Sequence, residues 1–153
     1  MFVSSTPFVF MRYLLRYVFL AMIFFVCTSF VPGNNMVAVE LKVTNIRAST
    51  GKLMVAFYNS EEDFLKNVFR GEAITIEDDG EKTVVFQIPA GQYTISIFHD
   101  VNDDGVLNSN MIGIPKEPYG FSNNPSSRFG PPKFASALID VGTDGLLAEI
   151  RLK

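Results

Sequence analysis

The stretch "GQYTISIFHD", residues 91–100, decides how this chain is read. Tyr93, Ile95 and Ile97 alternate with Gln92, Thr94 and Ser96. A period of two puts one set of side chains into a core and the other toward water, which is the signature of a half-buried β-strand. The same alternation recurs on both sides. "MVAVELKVTNI" sets Val37, Val39, Leu41 and Val43 on one face, and "GKLMVAFYN" does the same with Leu53, Val55 and Phe57. "EAITIE" supplies Ile74 and Ile76, and "KTVVFQIP" supplies Val84, Phe86 and Ile88. "FASALIDVG" is a mostly apolar run, and "LLAEIRLK" supplies Ala148, Ile150 and Leu152. Turn signals such as "STGK", "DDGE", "PAGQ" and "GTDG" separate these runs. About seven short strands with regular turns predict an all-β fold, an antiparallel β-sandwich of immunoglobulin-like type, with a closed barrel as the alternative.

Two segments break the rhythm. "SEEDFLKNVF" has helical character: Ser60 is placed to cap, Asp63 occupies the reciprocal capping-box position, and Phe64, Leu65 and Val68 share a helical face. One short helix is expected there. Residues 113–133, "GIPKEPYGFSNNPSSRFGPPK", hold five of the eight prolines and three glycines, interleaved with Tyr119, Phe121 and Phe129. Proline removes ladder donors, so this is a long loop and not a central strand. Its aromatics either cap the open end of the core or form a ligand surface, where rigid rings give contact area at low entropic cost.

The N-terminus has a different composition. Residues 12–31, "RYLLRYVFLAMIFFVCTSFV", are nearly all apolar after Arg12 and Arg16 and lead into "PGNN". A basic start, an apolar run and small residues predict a signal peptide over residues 1–33. The competing reading is an N-terminal membrane anchor, because the run approaches a bilayer span. The remainder, 36–153, is expected to be a single domain exported to the periplasm or secreted, with membrane contact only through the leader if it is retained.

Cys27 is the only cysteine and lies in this leader. The exported part therefore has no disulfide, no thiolate metal site and no cysteine nucleophile. The leader carries two of the 13 basic residues and none of the 16 acidic ones, which leaves 11 against 16 and a net charge of −5. With no run of Lys or Arg, nucleic acid is not an expected partner.

"HDVNDDGVLNSN", residues 99–110, follows directly on the deciding strand. Numbered from Asp100, it matches the first half of a calcium loop. Asp100, Asn102 and Asp104 fall at positions one, three and five, Gly105 at the sharp turn, Val106 at the backbone-carbonyl position and Asn108 at position nine. Met111 stands where a bidentate Glu belongs, and a strand rather than a helix enters the loop. The missing ligand could come from Asp103, from water or from Glu117, which would have to fold back from the next segment to complete a weak Ca²⁺ site. The bland reading is a metal-free tract of Asx turns. His99 is the only histidine, and alternation turns it toward the core, where a hydrogen-bonded structural role is expected. A hydrolase would have to work through His99, Asp100 and Glu117. Nothing else in the sequence marks a catalytic set, so a non-catalytic domain is expected.

Several pieces together carry a resemblance. They are Pro89–Tyr93, His99–Asn102, Gly105–Leu107, Gly113–Glu117, Tyr119–Ser122 and Phe129–Pro132. In combination they resemble the exported bacterial proteins of family DUF2141, over about residues 38–153. The family often has Asp where Asn108 stands, and that departure weakens the case for metal. The resemblance implies an exported domain with an immunoglobulin-like or prealbumin-like sandwich and no established reaction. The function expected from the sequence is a binding or envelope-associated module, with an envelope glycan or protein as partner. A structural or adhesion subunit is the alternative.

Overall fold

Strand β5, Gly91–Asp100, runs through the middle of the larger of two sheets. The computed structural model describes residues 35–126 and 130–153, which belong to one unit beginning at Asn34. The segment expected to be a signal peptide or membrane anchor, residues 1–33, and Phe129 lie outside the described residues. Strands β1 (Met36–Ile46), β4 (Gly80–Pro89) and β8 (Leu146–Arg151) form the smaller sheet in the order β4-β1-β8. Strands β2 (Lys52–Tyr58), β3 (Arg70–Thr75), β5 and β6 (Tyr119–Phe121) form the larger in the order β3-β2-β5-β6, with β7 (Leu138–Val141) also on β5. The fold is an all-β sandwich.

The alternating residues face one another across it. Val39, Leu41, Val43, Leu53, Phe57, Phe86, Ile88, Ile95 and Ile150 are all at most 1% exposed and belong to one core cluster. Phe57 sits near its centre, edge-on to Phe86 at 5.0 Å and to Tyr93 at 6.4 Å. The Tyr93 hydroxyl donates to Pro89 O at 3.0 Å, which fixes the turn that feeds β5.

The structure departs from the sequence reading in four places. Among the described residues there are eight strands rather than seven, because Tyr119–Phe121 forms a short edge strand inside the Pro/aromatic segment. The sandwich is not wholly antiparallel, since β1 and β8 pair in parallel. "FASALIDVG" is split into a one-turn helix α1 (Phe134–Ala137) and β7. The helix expected over residues 60–69 does not form. The N-cap half of its capping box does: Asp63 N–H donates to Ser60 Oγ at 3.2 Å, while the Asp63 carboxylate accepts the Ser60 hydroxyl at 2.7 Å in place of the Ser60 N–H. Leu65 then takes a left-handed conformation, φ 58°, which ends helical winding after about a turn. Leu65 and Val68 are consequently exposed rather than core. What wins is the seating of Phe64 against Tyr58, Phe121 and Phe134, with ring centroids 5.4–6.1 Å away. The Phe69 N–H bond to Phe57 O, 2.9 Å, also starts the approach to β3.

The sandwich closes where β6 meets β8. Gly120 sits so close to β8 that a Cβ there would lie 2.6 Å from Ile150 Cγ2 and 3.1 Å from Arg151 O. Main-chain bonds between Tyr119 and Lys153, 3.0 and 3.2 Å, tie the two sheets at this seam. Gly120→Ala is therefore expected to destabilise by about 1–3 kcal/mol through overpacking. Gly142→Ala, where a Cβ meets nothing within 4 Å, should stay within about 0.5 kcal/mol of the parent. Urea unfolding of both variants checks the contrast, and equal losses would remove the close-approach argument.

Candidate functional site

The acidic loop grows out of the end of β5. His99 is fully buried and turned inward, with its Nε2 2.8 Å from Thr50 O. Its Nδ1 is buried without a partner among the described residues, which suits an acceptor lone pair far better than an N–H. Asp100 is also fully buried. Its two carboxylate oxygens accept the main-chain N–H of Asp104 at 3.1 Å and of Gly105 at 2.7 Å. Gly105 has φ 78°, the left-handed turn conformation that a residue without Cβ takes at no steric cost.

Asp104 takes the next tier. It accepts the Val106 N–H at 2.9 Å and the side-chain amides of Asn102 and Asn108 at 2.8 Å each. Those three donors, Asn108 first, then Val106, then Asn102, hold the carboxyl below its ordinary value of 3.8. Glu117 folds back onto the loop. One of its oxygens accepts Val101 N–H at 3.2 Å and the other Asn108 N–H at 2.9 Å. Asp103 stands apart, left-handed at φ 58° and paired with Lys52 at 2.7 Å on the surface.

Asp100, Asn102, Asp104, Asn108 and Glu117 are thus brought together around one turn, with Val106 directing its carbonyl to the Asn108 amide at 2.9 Å. The carboxylates meet N–H donors, and those bonds alone account for the loop's shape. Among the described residues, no group of three or more His, Cys, Asp or Glu side chains is placed to hold a metal ion. Beyond the turn, Asn110 Oδ1 accepts the N–H groups of Ile112 and Ile114 at 3.1 and 2.9 Å. The tip that results leaves Met111 and Ile112 almost wholly exposed.

The Pro/aromatic segment is anchored rather than free. Phe121 is buried against Phe64, and Tyr119 is half-buried with the Lys153 ammonium 5.3 Å above its ring. Ser122 is fully buried. Its hydroxyl accepts the Ile95 N–H at 2.9 Å and donates to Ala137 O, while its own N–H donates to Ile95 O at 3.0 Å. Asn123 and Asn124, both left-handed, send their amides to Leu138 O at 2.7 Å and Glu149 O at 2.9 Å. Asn124 Oδ1 also accepts the Arg151 N–H at 2.8 Å.

Beside this anchor an open groove of roughly 470 Å³ follows the seam, lined by Asn45, Arg47, Phe121, Asn124, Arg151 and Lys153 among others. Residue reading missed both features. The clue to the anchor was the run "FSNN": a small hydroxyl and two Asn after an aromatic are the residue types that bond main chain and tolerate left-handed turns. The groove had no local signal, because its cations come from positions 47, 151 and 153.

A family model described as an uncharacterized protein conserved in bacteria, DUF2141, matches residues 41–146. The chain belongs to this family. No curated protein and no solved structure matches it. In this DUF2141 chain the "YGFS" piece acts through Gly120 at the seam, Phe121 in the aromatic cluster and Ser122 at β5. The "HDVN" piece supplies the strand-end His99 and the turn-building Asp100.

Asp104→Ala should destabilise at neutral pH. A carboxyl held low in the folded state contributes stability above its unfolded value of 3.8 and loses it as pH falls through the folded one. The gap between parent and variant should accordingly narrow below about pH 4, a trend that urea unfolding at pH 7 and pH 3 measures. Asp100→Ala, which strands two loop N–H groups, should cost about 1–3 kcal/mol at neutral pH.

Proposed function

We propose that this chain is an exported binding module of the bacterial envelope that works by recognition rather than catalysis. The observation that carries the reading is the groove along the seam of β6 and β8, an open concave surface on a rigid, hydrogen-bonded base. A volume of roughly 470 Å³ is in the range of small-ligand sites. The groups an acid–base mechanism would need are engaged elsewhere: His99 with Thr50, Asp100 and Glu117 with loop N–H groups. Export rests on the leader's composition, and an envelope glycan is the ligand class we assign. Cosedimentation of the full chain with purified peptidoglycan sacculi tests the binding. Retention that survives washing is expected, and recovery of all protein in the supernatant would sink this reading. N-terminal sequencing of protein from a periplasmic fraction tests export, with cleavage near residue 33 expected.

Calcium belongs to the same proposal in a minor role. A cation at the acidic loop would have to turn the Asn102 and Asn108 amides away from Asp104 to present their oxygens. Any affinity is then expected in the weak extracellular class of about 10⁻⁴–10⁻³ M or poorer. An affinity in that class would raise the thermal midpoint saturably by a few degrees at about 5 mM calcium, and no shift at that concentration would remove the metal site.

A second reading, an assembly subunit, is favoured by one observation. β3 sits at the edge of the larger sheet and is exposed along nearly its whole length. Light scattering on the eluted protein distinguishes the two, since edge pairing would give a dimer.

A further inference from the structure

We infer that the groove at the seam is a site for an oxyanion, a carboxylate or a phosphate group carried by a small ligand. The inference rests on the binding reading above and names its ligand chemistry. The exported domain carries 16 acidic residues against 11 basic ones, yet the groove lining holds Arg47, Arg151 and Lys153 and no Asp or Glu. A random patch of this surface would carry more acid than base. The three ion pairs among the described residues use Lys42, Lys52 and Arg70, so none neutralises the groove.

The three cations reach the groove from two chain regions that the fold brings side by side. Arg47 follows the end of β1, and Arg151 and Lys153 lie at the end of β8, which runs parallel to β1. Lys153 holds its ammonium over the Tyr119 ring. The two guanidinium groups are therefore the principal donors, and their planar forks match the paired oxygens of a carboxylate or phosphate. The amides behind them are already committed: Asn45 donates to Leu152 O at 2.6 Å, and Asn124 both donates to Glu149 O and accepts from Arg151 N. They hold the main chain under the arginines in place. Phe121 and Pro125 give the groove an apolar side on which the body of a ligand, such as a sugar ring, can rest.

Calorimetric titration of the full chain in nonionic detergent tests this, with sodium phosphate, sodium glucuronate and glucose as probes at matched ionic strength. Saturable binding of phosphate, glucuronate or both is expected below roughly 20 mM, with glucose silent. Which anion binds separates the phosphate source from the carboxylate source. Arg47→Ala and Arg151→Ala should each weaken the binding about tenfold. Both side chains are exposed, so far-UV circular dichroism melts of the variants should match the parent. Three outcomes overturn the inference: no saturable binding of either anion, anion binding unchanged in the double variant, or glucose binding as well as glucuronate. The sacculus experiment is scored separately. Retention on sacculi without anion binding would leave the binding module standing and remove only the oxyanion.

Discussion

The rest of the structure depends on how the free edge of β5 is satisfied at Ile95. β2 covers one edge of this strand from Thr94 to Asp100. The other edge is shared: β7 pairs with Gly91–Thr94 and β6 with Ser96–Phe98. Ile95 falls at the handover, fully buried. A main-chain N–H stranded there would cost about 1–3 kcal/mol. The Ser122 hydroxyl accepts that N–H, and the Ser122 N–H takes the Ile95 carbonyl. One buried serine thereby joins β5, the end of β6 and, through Ala137 O, the α1–β7 junction. The long segment between β6 and α1 departs from this point and returns to it, so its proline-rich course begins and ends on fixed positions.

The acidic loop solves a related problem. β5 ends by burying a histidine and a carboxylate side by side in the sequence, and both need partners. His99 finds a carbonyl in the turn between β1 and β2, and Asp100 finds the N–H groups of the turn it starts. Asp104 and Glu117 repeat the device further out. The cluster of acid that suggested a cation is, in its hydrogen bonding, a cluster of N–H acceptors. Backbone donors and asparagine amides do for these carboxylates what a cation would otherwise do. The exposed Lys52–Asp103 pair adds little to this, because solvent screens it.

Charge tells opposite stories at the two levels. By composition residues 36–153 are acidic and offer no basic run, which argues against a polyanion as partner. In three dimensions the parallel pairing of β1 with β8 sets Arg47 beside the last residues of β8 and gathers cations into one groove. A net charge describes solubility and long-range steering. A groove a few ångströms across responds to its own lining, so an acidic protein can present a basic site.

Local alternation by itself determined most of the fold. A period of two leaves little choice of face once one side must be buried, so the core positions of β1, β2, β4, β5 and β8 were legible residue by residue. Turn residues likewise marked the strand ends. The inward His99 was legible from the same alternation, whereas Glu117 was one of several candidates to complete the loop and its place on the Val101 and Asn108 N–H groups came from the fold. Only the tertiary structure decided the rest, because those outcomes depend on partners remote in sequence. Residues 60–69 hold good helix-start chemistry, yet the seating of Phe64 among Tyr58, Phe121 and Phe134 overrode it. Tyr119–Phe121 became a strand because it pairs with Ser96–Phe98 of β5, in a position where Gly120 permits a close approach to β8. Arg47 met Arg151 and Lys153 because β1 and β8 run side by side, a pairing that no spacing in the chain records.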